Sequence, residues 1–209
     1  MSPIDHFRAV WIRCAELSAL YAYLAANSTK ALPLDEMLRA EWVARISALD
    51  LYIHELVAQK MLDIYDGLRP STPSFLQFKV SLETLTRIRL AAIPTDARSA
   101  FELEVRNTLA RITYQDPDSI ADGVRLISSI ELWNELAVII KGATLSNKVS
   151  LSKIIKKDLS LIVSRRNKIA HEGDLQPIPP RPPWAISQSD LTFVSDTVES
   201  IVTAIDSIV

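Results

Sequence analysis

From about Leu34 to Tyr65 the sequence runs without a proline or a glycine, with Pro33 just before the stretch and Gly67 just after it. Proline suits the entrance of a helix and glycine its exit, and a run this long exceeds the usual length of a strand. A long helix is therefore predicted here, and it limits the rest of the fold to elements that can pack along it. The whole chain follows the same economy. It holds 4 glycines in 209 residues, and most of its 11 prolines lie between periodic segments. That favours helices over a sheet with many tight turns. The length and the 48% hydrophobic content suit one domain with a substantial core and are short for two.

Six or seven helices and no strand are expected, giving an all-α, single-domain bundle over residues 1–209. The first helix runs from about Pro3 to Ala26, with Ser2 as its cap. Others are placed around Phe78–Leu90 and Thr95–Tyr114, from near Ser119 with a break near Ser129, and through ELWNELAVIIKG to Gly142. A late helix begins near Ser150 or Ser152 and ends at Gly173, a residue suited to a left-handed turn. Residues 174–186, which include QPIPPRPPW, read as a rigid, extended proline-rich surface loop. The last helix spans about Ser187–Ile208.

Net charge is −2, so any nucleic-acid surface must be local. The single cysteine, Cys14, allows no disulfide within the chain and fits a reducing cytosol. The start, MSPIDHFRAVWIR, carries Asp5, Arg8 and Arg13 among apolar residues, which reads as an amphipathic helix rather than a signal peptide. No run approaches the ~18 apolar residues of a membrane span. A cytoplasmic protein with no membrane partner is expected.

The late helix is the most informative element. At ~100° per residue, Leu151, Ile154, Ile155, Leu159, Ile162 and Ile169 gather on one side as the predicted buried stripe. Lys153, Lys156, Lys157, Asn167, Lys168 and His171 gather on the other. Between Lys148 and Glu172 there are seven basic and two acidic residues, an excess of five positive charges. Such a stripe attracts phosphates, although a solvated face matched to the helix dipole reads the same way. Arg166 lies ~140° from His171, beside Leu159 and Ile162, where a guanidinium needs a partner.

Asp50 and His54 on the long helix are candidates for that partnership. They are spaced i and i+4 in the stripe formed by Val43, Ile46, Val57 and Met61. Polar groups in a buried row must be paired. Either they are a satisfied core pair, with Arg166 as a third member, or they orient catalytic groups from behind. Glu55, on another flank, is expected at a dimer face or in solvent. Three scattered histidines and one cysteine make no metal site, and no phosphate-cradling glycine loop is present. No metal or other cofactor is expected. Cys14 reads as a packed thiol.

The run Arg166-Asn167-Lys168-Ile169-Ala170-His171 resembles the signature of the HEPN superfamily, an arginine followed after a short spacer by a histidine, often with a polar residue after the arginine. The wording RNKIAHEGD, the proline-rich loop, the final amphipathic helix and the LDLYIHEL segment resemble the RiboL-PSP branch, from about residue 35 to the end. The resemblance implies a helical homodimer with a composite site between protomers and a metal-independent endoribonuclease activity. It further implies a toxin or effector of prokaryotic defence or toxin–antitoxin systems, with an antitoxin or defence-system protein as a further partner. Arg166 and His171 would be the catalytic pair and Asn167 the adjacent polar residue. Asp50, His54 and Glu55 would support them, and Lys153, Lys156, Lys157, Arg165 and Lys168 would hold RNA. Some HEPN toxins carry a tyrosine two residues after the histidine, which a partner enzyme modifies. Here that position is Gly173, which puts that mode of silencing in doubt.

Two other readings stand beside this one. A HEPN-type module could bind nucleic acid, nucleotide or a partner protein without cutting. A purely structural helical dimer would explain the apolar stripes but leave the basic face around His171 without a purpose.

Overall fold

The computed structural model of the chain describes residues 1–27 and 33–209. Nine helices and no strand form among the described residues: α1 (Pro3–Asn27), α2 (Asp35–Tyr65), α3 (Pro73–Leu76), α4 (Leu82–Leu90), α5 (Pro94–Leu109), α6 (Pro117–Ile127), α7 (Leu132–Lys141), α8 (Lys148–Glu172) and α9 (Gln188–Ile208). The all-α class is as expected, and the count exceeds six or seven for local reasons. Between α2 and α4, Thr72 accepts a hydrogen bond from the Phe75 amide and Pro73 opens a short turn of helix. Ser128 is extended (φ −154°, ψ 152°), which separates α6 from α7 at the break expected near Ser129.

α2 is the axis of the molecule, because α1, α5, α6, α8 and α9 all pack against it. A helix covered on most sides must find partners for its charged residues. Glu41 and Arg45 are buried, with Arg45 Nε donating to Glu41 Oε1 at 2.8 Å. Ser18 of α1 donates to the same oxygen at 2.6 Å, and the Arg45 guanidinium lies 4.5 Å over the Trp11 ring. These contacts fasten α1 antiparallel to α2. Cys14 is buried in the same seam, and burial raises its thiol pKa, as fits a packed thiol rather than a nucleophile.

α8 also runs antiparallel to α2. The indole of Trp42 donates to the Ile162 carbonyl at 3.0 Å, while Arg39, nearer the start of α2, reaches Asp174 just past the end of α8. Ile155, Leu159 and Ile162 are buried in the seam, as their spacing predicts. Each such burial contributes about 1.5–3 kcal/mol. Ile154 departs from the prediction: it lies one step outside the seam and is 47% exposed. α9 returns parallel to α2, where the Tyr52 hydroxyl donates to Asp206 at 3.2 Å.

Tyr114, between α5 and α6, is buried against Gly123 and meets the edge of His54 with ring centroids 4.8 Å apart. A Cβ at Gly123 would stand 2.6 Å from the Tyr114 ring, so the ring must move to admit one. Gly123→Ala is expected to cost about 1–3 kcal/mol, seen as a lowered urea midpoint. An unchanged midpoint would show that Tyr114 is not held as described. No helix among the described residues is long and apolar enough to cross a membrane.

Candidate nucleic-acid interface at the end of α8

α8 stays helical through Glu172 and then stops abruptly. Gly173 (φ 66°) and Asp174 (φ 56°) are both left-handed, and the Asp174 amide closes the helix on the Lys168 carbonyl at 3.0 Å. Glycine accepts this conformation freely, and aspartate is among the few other residues that tolerate it.

The loop that follows is not the extended strap expected from its prolines. The Gln176 amide bonds the Pro182 carbonyl at 3.0 Å, the Trp184 amide bonds the Asp174 carbonyl at 2.8 Å, and Leu175 faces Pro183 in a single antiparallel bridge. Arg181, at φ 58°, turns the chain back.

A buried ionic knot holds this hairpin-like loop. Asp174 is fully buried, and its Oδ2 accepts from Arg39 Nε at 3.1 Å and from Arg165 Nη2 at 3.0 Å. The same two arginines bond the loop's backbone: Arg39 Nη2 reaches the Trp184 carbonyl at 2.7 Å, and Arg165 Nη2 reaches the Ala185 carbonyl at 2.8 Å. The Arg165 guanidinium also lies 5.3 Å over the Trp42 ring. Arg165, expected to contact RNA, is thus committed to holding the loop. Arg39, Asp174 and Trp184 went unnoticed in the sequence. The available signal was an arginine at 39 in the same apolar row as Trp42, Ile46 and Leu49.

Arg166 is placed differently from its neighbour. It is half-buried, its Nη1 donates to Asn167 Oδ1 at 3.1 Å, and its Nε is buried without a partner. It forms no ion pair among the described residues. The proposed partner, Asp50, is engaged elsewhere. His171 and Lys168 are exposed on the outer face of α8, and neither side chain has a hydrogen bond or ion pair among the described residues. Because α8 is regular through Glu172, the ~140° between Arg166 and His171 is real, and no loosened helix end brings them together.

The basic stripe is thinner than its sequence suggests. Lys156 pairs with Asp118 of α6 at 2.7 Å and Arg165 with Asp174, which leaves Lys153, Lys157 and Lys168 exposed and uncompensated.

The sequence profile of the RiboL-PSP-HEPN family matches residues 12–209. The chain belongs to this family. The match takes in most of α1 as well as everything from α2 onward. No curated protein and no solved structure matches. Two arginines, Arg165 and Arg166, fall within the spacing of the HEPN motif; Arg165 is tied into the knot through its Nη2, whereas Arg166 bonds only Asn167 and forms no ion pair among the described residues.

The structure does not bring Asp50, His54 or Glu55 to the HEPN motif. Asp50 Oδ1 accepts from the Tyr114 amide at 2.5 Å, and its Oδ2 accepts from Gln115 Nε2 at 3.2 Å. His54 Nε2 stands 3.6 Å from Asp50 Oδ1, too long for a hydrogen bond. Glu55 is turned toward Arg106 of α5. It forms a two-pronged pair with this arginine, at 2.9 and 3.2 Å. The phenol of Tyr114 is pushed up to about 12 by burial, with Asp122 and Asp50 adding to the shift. Asp50, His54, Glu55 and Arg106 line a cleft of about 390 Å³ between α2 and α5. Asp50 is eleven residues along α2 from Arg39, roughly 16 Å at helical rise, so the cleft and the HEPN motif are separate places.

Proposed function

We propose that the chain is a metal-independent endoribonuclease acting as a homodimer, with His171 and Arg166 as its reacting pair. HEPN domains are nuclease or nucleotide-binding modules that often dimerise, which sets the class. The observation that carries the finer reading is His171 itself: an exposed imidazole without an internal partner, fixed at the braced end of a basic helix one turn past Lys168. An imidazole is the side chain suited to give and take a proton near neutrality.

In the reaction, the 2′-hydroxyl loses its proton to one imidazole and its oxygen bonds to the adjacent phosphorus. The bond from phosphorus to the 5′-oxygen breaks, and that oxygen takes a proton from a second imidazole. The products are a 2′,3′-cyclic phosphate and a 5′-hydroxyl. Two copies of His171 facing each other supply the two roles. An Arg166 guanidinium stabilises the charge on the equatorial oxygens. The ~140° between the two side chains on one helix argues that each reacting centre draws on both protomers. Asn167 holds the guanidinium, and Lys153, Lys157 and Lys168 attract the flanking phosphates. Asp50, His54 and Glu55 act away from this centre, as supports of the α2–α5 packing. A toxin or defence effector restrained by a partner protein fits an unregulated RNA-cleaving dimer.

Purified protein is expected to cleave RNA in excess EDTA and leave cyclic phosphate ends. RNA left intact under all conditions would favour a non-catalytic HEPN module that binds nucleic acid, nucleotide or a partner protein. The neighbouring arginines should separate. Arg166→Ala is expected to lower cleavage at least 100-fold, as for a lost transition-state donor. Arg165→Ala is expected to lower stability by about 1.5–3 kcal/mol through lost charged hydrogen bonds. The reverse pattern in cleavage assays and melts would assign the motif to Arg165.

A further inference from the structure

The four tryptophans of this chain divide three to one. Trp42 donates its indole N–H to the Ile162 carbonyl and Trp133 to the Pro117 carbonyl, each at 3.0 Å. Trp11 stacks on Phe7 with centroids 4.8 Å apart and carries Arg45 on its other contact. Trp184 does none of this. Its indole is 43% exposed, stacks on no other ring and donates to no acceptor among the described residues. Yet its backbone is among the most firmly held in the loop. Its carbonyl accepts from Arg39 at 2.7 Å and its amide donates to Asp174 at 2.8 Å. A large aromatic ring is therefore presented to solvent from a fixed position, at a cost in exposed apolar surface that the fold itself does not require.

Beside this ring lies a pocket of about 190 Å³, lined by Leu161, Ser164, Arg165, Lys168, Asp174 and Trp184. The unpartnered polar groups it offers at the surface are the Lys168 ammonium, the Ser164 hydroxyl and the Trp184 N–H, while Asp174 Oδ1 and Arg165 Nε, also unpartnered, are buried behind them. Two can only donate, and the hydroxyl can donate. The pocket thus asks for a flat, acceptor-rich ligand with a negative charge. Ser164, Lys168 and His171 follow one another at i, i+4 and i+7 on the outer face of α8, so the pocket opens onto the line that leads to His171. The rise from Lys168 to His171 is roughly 4.5 Å.

We propose that Trp184 and Lys168 form a nucleotide subsite, in which a base stacks on the Trp184 indole and its phosphate meets Lys168. The inference rests on the proposed RNA substrate and adds to it a residue that grips a base next to the cleaved phosphodiester. The loop 174–186 is then part of the binding surface, and its knot with Arg39 and Arg165 keeps the stacking ring in register with His171.

The test uses binding, so that it does not depend on cleavage. Wild type is titrated with a 2′-O-methyl oligoribonucleotide, which cannot be cut, and separately with the four nucleoside 5′-monophosphates, following tryptophan emission. Quenching is expected with the oligonucleotide. Quenching with a monophosphate as well would mean that the subsite takes free nucleotide too. Trp184→Ala should weaken oligonucleotide binding by roughly 5- to 150-fold, the loss expected for one stacked base, and Trp184→Phe should recover most of it. Because the loop is held through the Trp184 backbone, both variants should keep the wild-type circular dichroism spectrum. Equal affinity of wild type and Trp184→Ala, or no advantage of Phe over Ala, overturns the proposal. So does quenching that follows protein concentration alone, which would place Trp184 between two copies of the chain. Trp184-dependent binding without RNA cleavage leaves the subsite standing and removes the ribonuclease reading.

Discussion

Replacing His171 with alanine is expected to reduce RNA cleavage by about 10²- to 10⁴-fold, the contribution of a positioned proton-transfer group. The loss should fall at the upper end, because the proposed dimer would then lack the acid as well as the base. The same substitution should leave stability within about 0.5 kcal/mol of wild type, since it removes no buried contact. His171 is exposed, has no partner among the described residues, and sits where alanine is a good helix former. Cleavage and thermal melting, measured on the same preparations, separate the two effects. Expression in a bacterium adds a cellular readout: wild type should arrest growth and degrade RNA, and His171→Ala should not. Full cleavage by the purified variant would remove His171 from the reaction. A variant that melts well below wild type would make the histidine a structural residue.

Asp174→Ala should produce the largest loss of stability of any single change at this end of the molecule. Removing one member of a buried ionic cluster leaves the others desolvated and unpaired, at a cost of about 3–5 kcal/mol. Here one carboxylate oxygen serves two guanidinium groups, and Arg39 is only 5% exposed. The backbone adds to the effect, because alanine at φ 56° is strained where aspartate and asparagine are tolerated. Asp174→Asn should therefore be milder than Asp174→Ala, since it keeps the left-handed turn and loses the charge. Chemical denaturation of the three proteins gives the order directly. Equal midpoints for alanine and wild type would mean that the knot contributes nothing to the fold.

These two residues, three apart, show what a sequence can and cannot disclose. The long α2, the cap at Gly173 and the outward placement of His171 all follow from local rules of spacing and composition, and all were readable. Ile154 was misplaced because it lies at the edge of the stripe, where the angle alone cannot say how far the neighbouring helices reach. The partner of Arg166 was misassigned for a related reason. The wheel showed that the guanidinium faced inward, but Asp50 looked available only because the Tyr114 amide that occupies it comes from a distant turn. Arg39 and Asp174 are 135 residues apart, and nothing near either announces the other. The same holds for Trp184, whose meaning depends on three other tryptophans being occupied.

The folded-back proline loop has a practical consequence. Gln176 and Pro182 are joined by a backbone hydrogen bond of 3.0 Å, so the residues between them form a closed tip whose two ends nearly touch. Residues 177–181 are all exposed, and the ionic knot lies wholly outside them. Extra residues inserted there would lengthen the tip without pulling on Asp174 or Trp184, because loop ends that already meet accept added chain at little cost. A short tag or a fluorophore placed at that tip would ride on the molecule without disturbing the knot that seats Trp184.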